Sequence, residues 1–173
     1  MSFSSQRYAR LMNRVRNATG STEKGSALED LFEYLMNLIP GVRVIARDPR
    51  CEVEEIDLVL WNSQTHPFLK PWDSIILVEC KNWQTPVGSQ EIAWFLTKMR
   101  RRGITNGIFV AMNGVTGDFD RDATRLLVEA LSEKIRVIVI TNEELSTING
   151  KSVLCGMLRD KYCLLFLGKI IGF

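Results

Sequence analysis

The chain of 173 residues has a single histidine, His66, and no CxxC pair among its four cysteines, Cys51, Cys80, Cys155 and Cys163. A structural zinc site needs closely spaced thiolates and imidazoles, so this sequence has no such set to offer. The cysteines are too sparse for a disulfide scaffold and no leader-like segment is visible, so reduced thiols and a cytoplasmic location are expected. Long apolar runs are also missing. The stretch around Tyr162–Leu167 falls well short of the ~18 residues a membrane span requires, and is expected to be a strand or a surface covered by a partner. Charge of one sign is not in excess either: the formal net charge is +2, too small to identify a nucleic-acid binder, so any positive surface must come from local clustering. No repeat or low-complexity tract occurs.

What is present suits one globular domain. Hydrophobic residues make up 46% of the chain and charged residues 24%, which excludes a disordered chain. Residues 4–17 place Tyr8, Leu11, Met12 and Val15 at helical spacing, with Arg7, Arg10, Arg14 and Arg16 between them. That predicts an amphipathic helix with a basic face, closed by the turn-rich residues 17–24. A second helix is expected over "GSALEDLFEYLMNLI", carrying Leu28, Leu31, Phe32, Leu35 and Leu38 on one stripe and ending at Pro40–Gly41.

"VRVIAR", "EIDLVLW" and "SIILVECK" then read as three strands, the last nearly continuous in apolar residues as a strand covered on both faces would be. Asn62 to Asp73 holds two prolines and reads as a loop. "SQEIAWFLTKMRRRG" is a helix stopped by Gly103, "NGIFVAM" a fourth strand, "DRDATRLLVEALSEK" a helix and "IRVIVIT" a fifth strand. Asp118, Asp120 and Asp122 lack the glycine and glutamate of a calcium loop and read as a helix start. The chain after Glu144 is ambiguous. Three consecutive strands suggest an antiparallel meander, and the later alternation suggests parallel crossovers. The expectation is an α/β domain, a mixed five-stranded sheet flanked by helices. Residues 1–20 are expected to be a basic helical segment, 21–145 the core, and 146–173 an apolar extension of the same domain.

The charges on the strands carry the chemistry. Side chains alternate along a strand, so Glu79 and Lys81 share a face and Cys80 points the other way. If the second and third strands pair, Asp57 approaches Glu79. Two crowded carboxylates repel each other, and burial raises the cost of both charges. A hard divalent cation removes the conflict: Mg2+, or Mn2+ in its place, takes two carboxylates, the backbone carbonyl of Cys80 and waters. Lys81 would then lower the pKa of an attacking water, orient it, or stabilise charge on a pentavalent phosphorus. This is an apparatus for hydrolysing phosphodiesters without histidine or a covalent intermediate.

The run "EIDLVLW…IILVECKNW" resembles the PD-(D/E)xK nuclease superfamily, with the restriction endonuclease-like fold. Asp57 matches the first acid and Glu79-Cys80-Lys81 the (D/E)xK element, with Ile56 where a proline is usual. "GSALEDLFEYL" is similar to the superfamily's first helix, whose acid supports the metal, and Glu29 matches that acid. "VECKNWQTPVGSQEIAWF" is similar to Mrr-like restriction endonucleases, in which a glutamine follows on the next helix, and Gln90 matches it. The resemblance implies an αβββαβ core over roughly residues 25–141, and a metal-dependent endodeoxyribonuclease in restriction or defence against foreign DNA. Asp57, Glu79, Lys81, Glu29 and Gln90 would be catalytic, and Asp57, Glu79, Glu29 and the Cys80 carbonyl would bind metal.

Several residues stay open between two readings. Glu29 also fits a capping box with Ser26, and Gln90 a plain polar helix start. Glu55 shares a face with Asp57, although Glu52, Glu54 and Glu55 read more simply as a solvated cluster. Lys98, Arg100, Arg101 and Arg102 either contact phosphate or finish a helix. Trp83 and Trp94 either stack on bases or pack. DNA is the expected partner, with a homodimer for two-strand cleavage and a further protein as a possible source of specificity. The rival functions are a structure-specific repair or recombination nuclease resembling a junction resolvase, and a non-catalytic nuclease-fold module that binds nucleic acid or protein.

Overall fold

A computed structural model describes residues 2–47, 55–116 and 123–167. In chain order the elements are helices α1 (Ser5–Asn17) and α2 (Ser21–Met36), strands β1 (Val42–Arg47) and β2 (Leu58–Asn62), a short 3-10 turn at Pro67–Leu69, strand β3 (Ile75–Lys81), helix α3 (Ser89–Arg102), strand β4 (Asn106–Ala111), helix α4 (Ala123–Ser132), strand β5 (Arg136–Ile140), and helices α5 (Asn142–Thr147) and α6 (Lys151–Leu165). The strands lie in one mixed sheet in the order β1-β2-β3-β4-β5, so sequence neighbours are also spatial neighbours. β2 runs antiparallel to both β1 and β3, and β3, β4 and β5 run parallel. This is the meander followed by crossovers that the element order predicts. The residues Cys51, Glu52, Glu54, Asp118, Asp120 and Asp122 lie outside the described residues.

β3 is central. Ile76, Leu77 and Val78 are buried on both faces of the sheet, and so is every residue of β4. α3 covers one face through Ile92, Phe95, Leu96 and Met99. It comes close because Gly107 on β4 has no side chain: a Cβ there would lie 2.8 Å from Met99 Sδ and 2.9 Å from a Phe95 ring carbon. α3 stops at Gly103, whose φ of 62° is left-handed and whose N–H turns back to the carbonyls of Arg100 and Met99. α2 buries Ala27, Leu28, Leu31, Phe32 and Leu35, and α1 packs onto it through Tyr8, Met12 and Val15.

Two sequence expectations change. α2 begins at Ser21, four residues earlier than the apolar stripe suggested, because the Glu23 carboxylate accepts the Thr19 N–H at 2.9 Å and ties down the helix start. Ser26 is therefore mid-helix, and its capping box with Glu29 does not form. The apolar run Tyr162–Leu167 is not a strand. Leu154, Leu158, Tyr162 and Leu165 recur at helical spacing, α6 packs them inward, and the Tyr162 ring stacks 4.9 Å from that of Trp72. No helix among the described residues is long and apolar enough to cross a membrane.

Candidate active site

β2 and β3 pair with Leu58 opposite Val78. Asp57 lies one step beyond that ladder, where the strands part, close enough to Glu79 for the two charges to act on each other. The Asp57 carboxylate takes over from the ladder: its Oδ2 accepts the Cys80 N–H at 2.6 Å. Glu79, two residues before the end of β3, is 4% exposed. Both of its oxygens are bound. Lys81 Nζ donates to Oε1 at 2.7 Å and Lys98 Nζ donates to Oε2 at 2.8 Å.

The two ammoniums differ in access. Lys81 lines a cleft of about 900 Å3, whereas Lys98 is 3% exposed beneath the sheet end. Lys98 therefore does not join the basic run that the sequence grouped with Arg100, Arg101 and Arg102. It lies three residues beyond Phe95 on the inward side of α3, where an unpaired ammonium would be costly and the Glu79 carboxylate meets it. This buried partner was missed by reading the charges of α3 as one block, although Met99 already separates Lys98 from the arginines.

Glu29, Arg47, Asp57, Lys81 and the backbone around Cys80 share the cleft. Arg47, the last residue of β1, donates to Glu29 Oε2 at 2.9 Å and to Asp30, and its guanidinium also lies 3.7 Å from Glu33. Thus Glu29 has Arg47 and Glu79 has two lysines, while Asp57 has no cationic partner among the described residues. The consequence is a displaced titration. Burial, then the Glu79 charge, and more weakly Glu29, push the Asp57 carboxyl up to about 7, against the opposing Cys80 N–H and Lys81. For Lys81 burial favours the neutral amine, but Glu79 and Asp57 outweigh it and hold the pKa above the ordinary lysine value. The Cys80 thiol, fully enclosed and beside carboxylates, is pushed up and stays protonated.

Other expected residues disperse. Gln90 is exposed on the first turn of α3 and does not line the cleft; Gln84 does. Glu55 also lines it, and is exposed. Arg100 pairs with Glu133 at 2.7 Å, Arg102 donates to the Lys98 carbonyl at 3.2 Å, and Arg101 lies over the exposed Trp94 ring. Trp83, 42% exposed, is not packed away but stands at the cleft wall. Arg14 of the N-terminal helix pairs with Asp30, and Arg7 lies over the Tyr34 ring. His66 is remote, set edge-on against Phe68.

A divalent cation fits this donor set. Among the described residues no three carboxylate, imidazole or thiol groups converge as a ready-made cage. Two carboxylates and a carbonyl completed by water are nevertheless the company Mg2+ keeps, and Asp57 is an acid whose neighbours already resist its ionisation.

No curated protein matches this sequence. The structure of Pyrococcus furiosus SfsA in complex with Ca2+ is similar over 68% of this chain at 20% identity and a TM-score of 0.39, and the chain spans 55% of that protein's length. Residues 22–148 match the restriction endonuclease family, in its Mrr catalytic form. That match takes in most of the chain and every residue of the charged centre, and the chain belongs to the restriction endonuclease family.

Proposed function

We propose that this chain is a metal-dependent endodeoxyribonuclease, with Asp57, Glu79 and the Cys80 carbonyl holding Mg2+, or Mn2+ in its place, and Lys81 serving the attacking water. The observation that carries this reading is Asp57, a largely enclosed carboxylate whose pKa is raised to about 7 by burial, Glu79 and Glu29 against the weaker pull of Lys81, and which makes no ion pair among the described residues. A bound divalent cation supplies the missing positive charge, neutralises phosphate oxygens and lowers the pKa of a water.

The chain's own residues do the rest. Lys98 holds Glu79 from behind and fixes the plane of its carboxylate. Lys81 approaches the same carboxylate from the cleft side, within reach of both the acid pair and the solvent-filled space a phosphate would occupy. Its ammonium orients a water or meets charge developing on phosphorus. Glu29, kept in place by Arg47, faces the same cleft and supports the metal or its waters. Gln90, exposed at the start of α3, and Arg100, Arg101, Arg102 and Trp83 serve contacts along the DNA outside the centre.

A duplex has two strands and this chain has one such centre, so cleavage of both implies a homodimer. α6 supplies a contact surface, since Phe166 and Leu167 at its end are exposed. The family match supports, as part of the same proposal, a role in restriction of foreign DNA in the cytoplasm, with specificity drawn from DNA structure or from a partner protein. The test is nicking of supercoiled plasmid. Wild type nicks in Mg2+ and not in EDTA, and Asp57→Asn and Lys81→Ala abolish nicking in Mg2+. Nicking that survives chelation or both substitutions overturns the assignment.

A further inference from the structure

The charged centre offers a cation fewer ligand atoms than its acids suggest. A pair of divalent ions in a hydrolytic centre sits about 3.5–4 Å apart and needs a carboxylate that bridges both, or an acid for each. Three carboxylates belong to this centre, those of Glu29, Asp57 and Glu79, and most of their oxygens are already taken. Glu79 Oε2 accepts from Lys98 Nζ at 2.8 Å, and Lys98 is buried. Asp57 Oδ2 accepts the Cys80 N–H at 2.6 Å. Glu29 Oε2 accepts from Arg47 Nε at 2.9 Å.

The three cations are not equally mobile. Lys81 holds Glu79 Oε1 at 2.7 Å but is partly exposed and lines the cleft, so it can turn to solvent when an ion arrives. Lys98 has no such exit. Arg47 is pinned along α2 at three points: besides Glu29 it donates to Asp30 and, at 3.1 Å, to the Ser26 carbonyl. A guanidinium also keeps its charge at every working pH.

An ion that displaces Lys81 therefore meets Glu79 Oε1 and Asp57 Oδ1, the latter without a hydrogen bond from any described residue. Glu79 cannot bridge to a second ion while Lys98 holds Oε2. Glu55 lines the cleft but is exposed, which leaves Glu29 as the enclosed acid that a second ion would use, and Arg47 occupies it. We propose, resting on the nuclease reading, that the centre takes one divalent cation per chain, and that Arg47 is the positioning residue that keeps a second out by holding Glu29. Glu29 then reaches the bound ion only through water.

The test counts ions rather than turnovers. Mn2+ is titrated into the metal-free chain, and the free ion is read from its electron paramagnetic resonance signal. Wild type should bind one Mn2+ per chain and Asp57→Asn none. Arg47→Leu should bind two, with coupling between neighbouring ions broadening the spectrum. Arg47→Lys keeps a cation against Glu29 and should stay at one. Lys81→Met should also stay at one and bind it about tenfold more tightly, since no ammonium competes for Glu79 Oε1. If Arg47→Leu does not fold, Glu29→Gln gives the answer: an outer-shell group costs the ion about tenfold in affinity, whereas loss of a direct ligand abolishes binding as Asp57→Asn does.

Two Mn2+ in wild type, one in folded Arg47→Leu, or none in Glu29→Gln overturns the one-ion assignment. If Mg2+-dependent nicking is intact in the same preparation, the nuclease reading survives that result. No Mn2+ in wild type, or one that persists in Asp57→Asn, overturns the proposed function and the one-ion assignment together. One Mn2+ in wild type and two in Arg47→Leu, in a chain that never nicks, counts against the nuclease reading alone.

Discussion

Two hollows of nearly the same size open on this molecule. The cleft at the end of β3 holds about 900 Å3, and the groove between the Pro67–Leu69 turn and α6 holds about 850 Å3. The groove is walled by Phe68, Pro71, Cys155, Gly156 and Tyr162, the last packed at a tilt against the buried Trp72 ring. The cleft is walled by charged groups, Glu29 with Arg47, Asp57 and Lys81, and Lys81 is bonded to the buried carboxylate of Glu79 beneath. Volume does not separate the two places. Electrostatic tension does: Asp57 in the cleft is held up to about 7 beside like charges, a pattern that clusters at functional sites.

The sharpest break between the two is catalytic. Asp57→Asn and Lys81→Ala should each lower the rate of Mg2+-dependent plasmid nicking by about a thousandfold or more. Phe68→Ala in the groove should leave the rate within about threefold, since it touches no charged group of the centre. A groove variant that costs as much as a cleft variant would erase the distinction.

Next in size is the buried pair behind the cleft. Lys98→Met strands Glu79 Oε2 without its donor and should destabilise the chain by about 3 kcal/mol in urea unfolding, as breaking a buried ion pair does. The double variant Glu79→Gln with Lys98→Met removes both charges and should recover most of that loss. If Lys98→Met unfolds at the wild-type midpoint, Lys98 is not the counterion of Glu79.

Asp57 gives the third expectation, through pH. Its carboxyl is held at about 7 in the folded chain, above the ordinary aspartate value of 3.8. Between those limits the folded chain keeps a proton that the unfolded chain has lost. Stability therefore falls as pH rises through that window and levels off above about 7. Asp57→Asn should flatten this slope and be the more stable protein at pH 8, by roughly 2–4 kcal/mol, in the absence of divalent cations. Adding Mg2+ at pH 8 should raise the thermal midpoint of the wild type and not that of the variant.

The smallest effect belongs to the surface at the end of α6. Phe166→Ser together with Leu167→Ser should change unfolding free energy by about 1 kcal/mol or less, because both residues are exposed. If α6 is the homodimer contact, the same change should shift the chain from dimer to monomer in sedimentation velocity. A dimer that persists moves the interface elsewhere.

Much of this was legible in the strands. The near-continuous apolar run of β3 announced a central strand, and the alternation rule alone put Glu79 and Lys81 on one side and Cys80 on the other. The loop between β2 and β3 made the approach of Asp57 to Glu79 a reasonable expectation, and the ladder runs as far as Leu58 opposite Val78, one residue short of that pair. Helix-borne groups were harder. Whether Lys98 faces inward depends on the rotation of α3, and that is set by Gly107 admitting Phe95 and Met99, a contact between elements that no local pattern displays. Gln90 went the other way, outward onto the surface, for the same reason. The tail misled because aromatic and aliphatic residues crowd at Tyr162–Leu167, and the helical spacing that decides the matter starts earlier, at Leu154.

In the proposed reaction Asp57, just before β2, and Glu79 on β3 share a cation that releases Lys81 toward the phosphate. Anomalous diffraction from crystals of the chain soaked in Mn2+ tests it directly. A single strong peak should lie about 2.0–2.6 Å from an Asp57 carboxylate oxygen and from Glu79 Oε1, with Lys81 Nζ turned away from Glu79 and Lys98 still bound to Oε2. No peak between those two carboxylates at saturating Mn2+, with both lysines still on Glu79, would contradict the account.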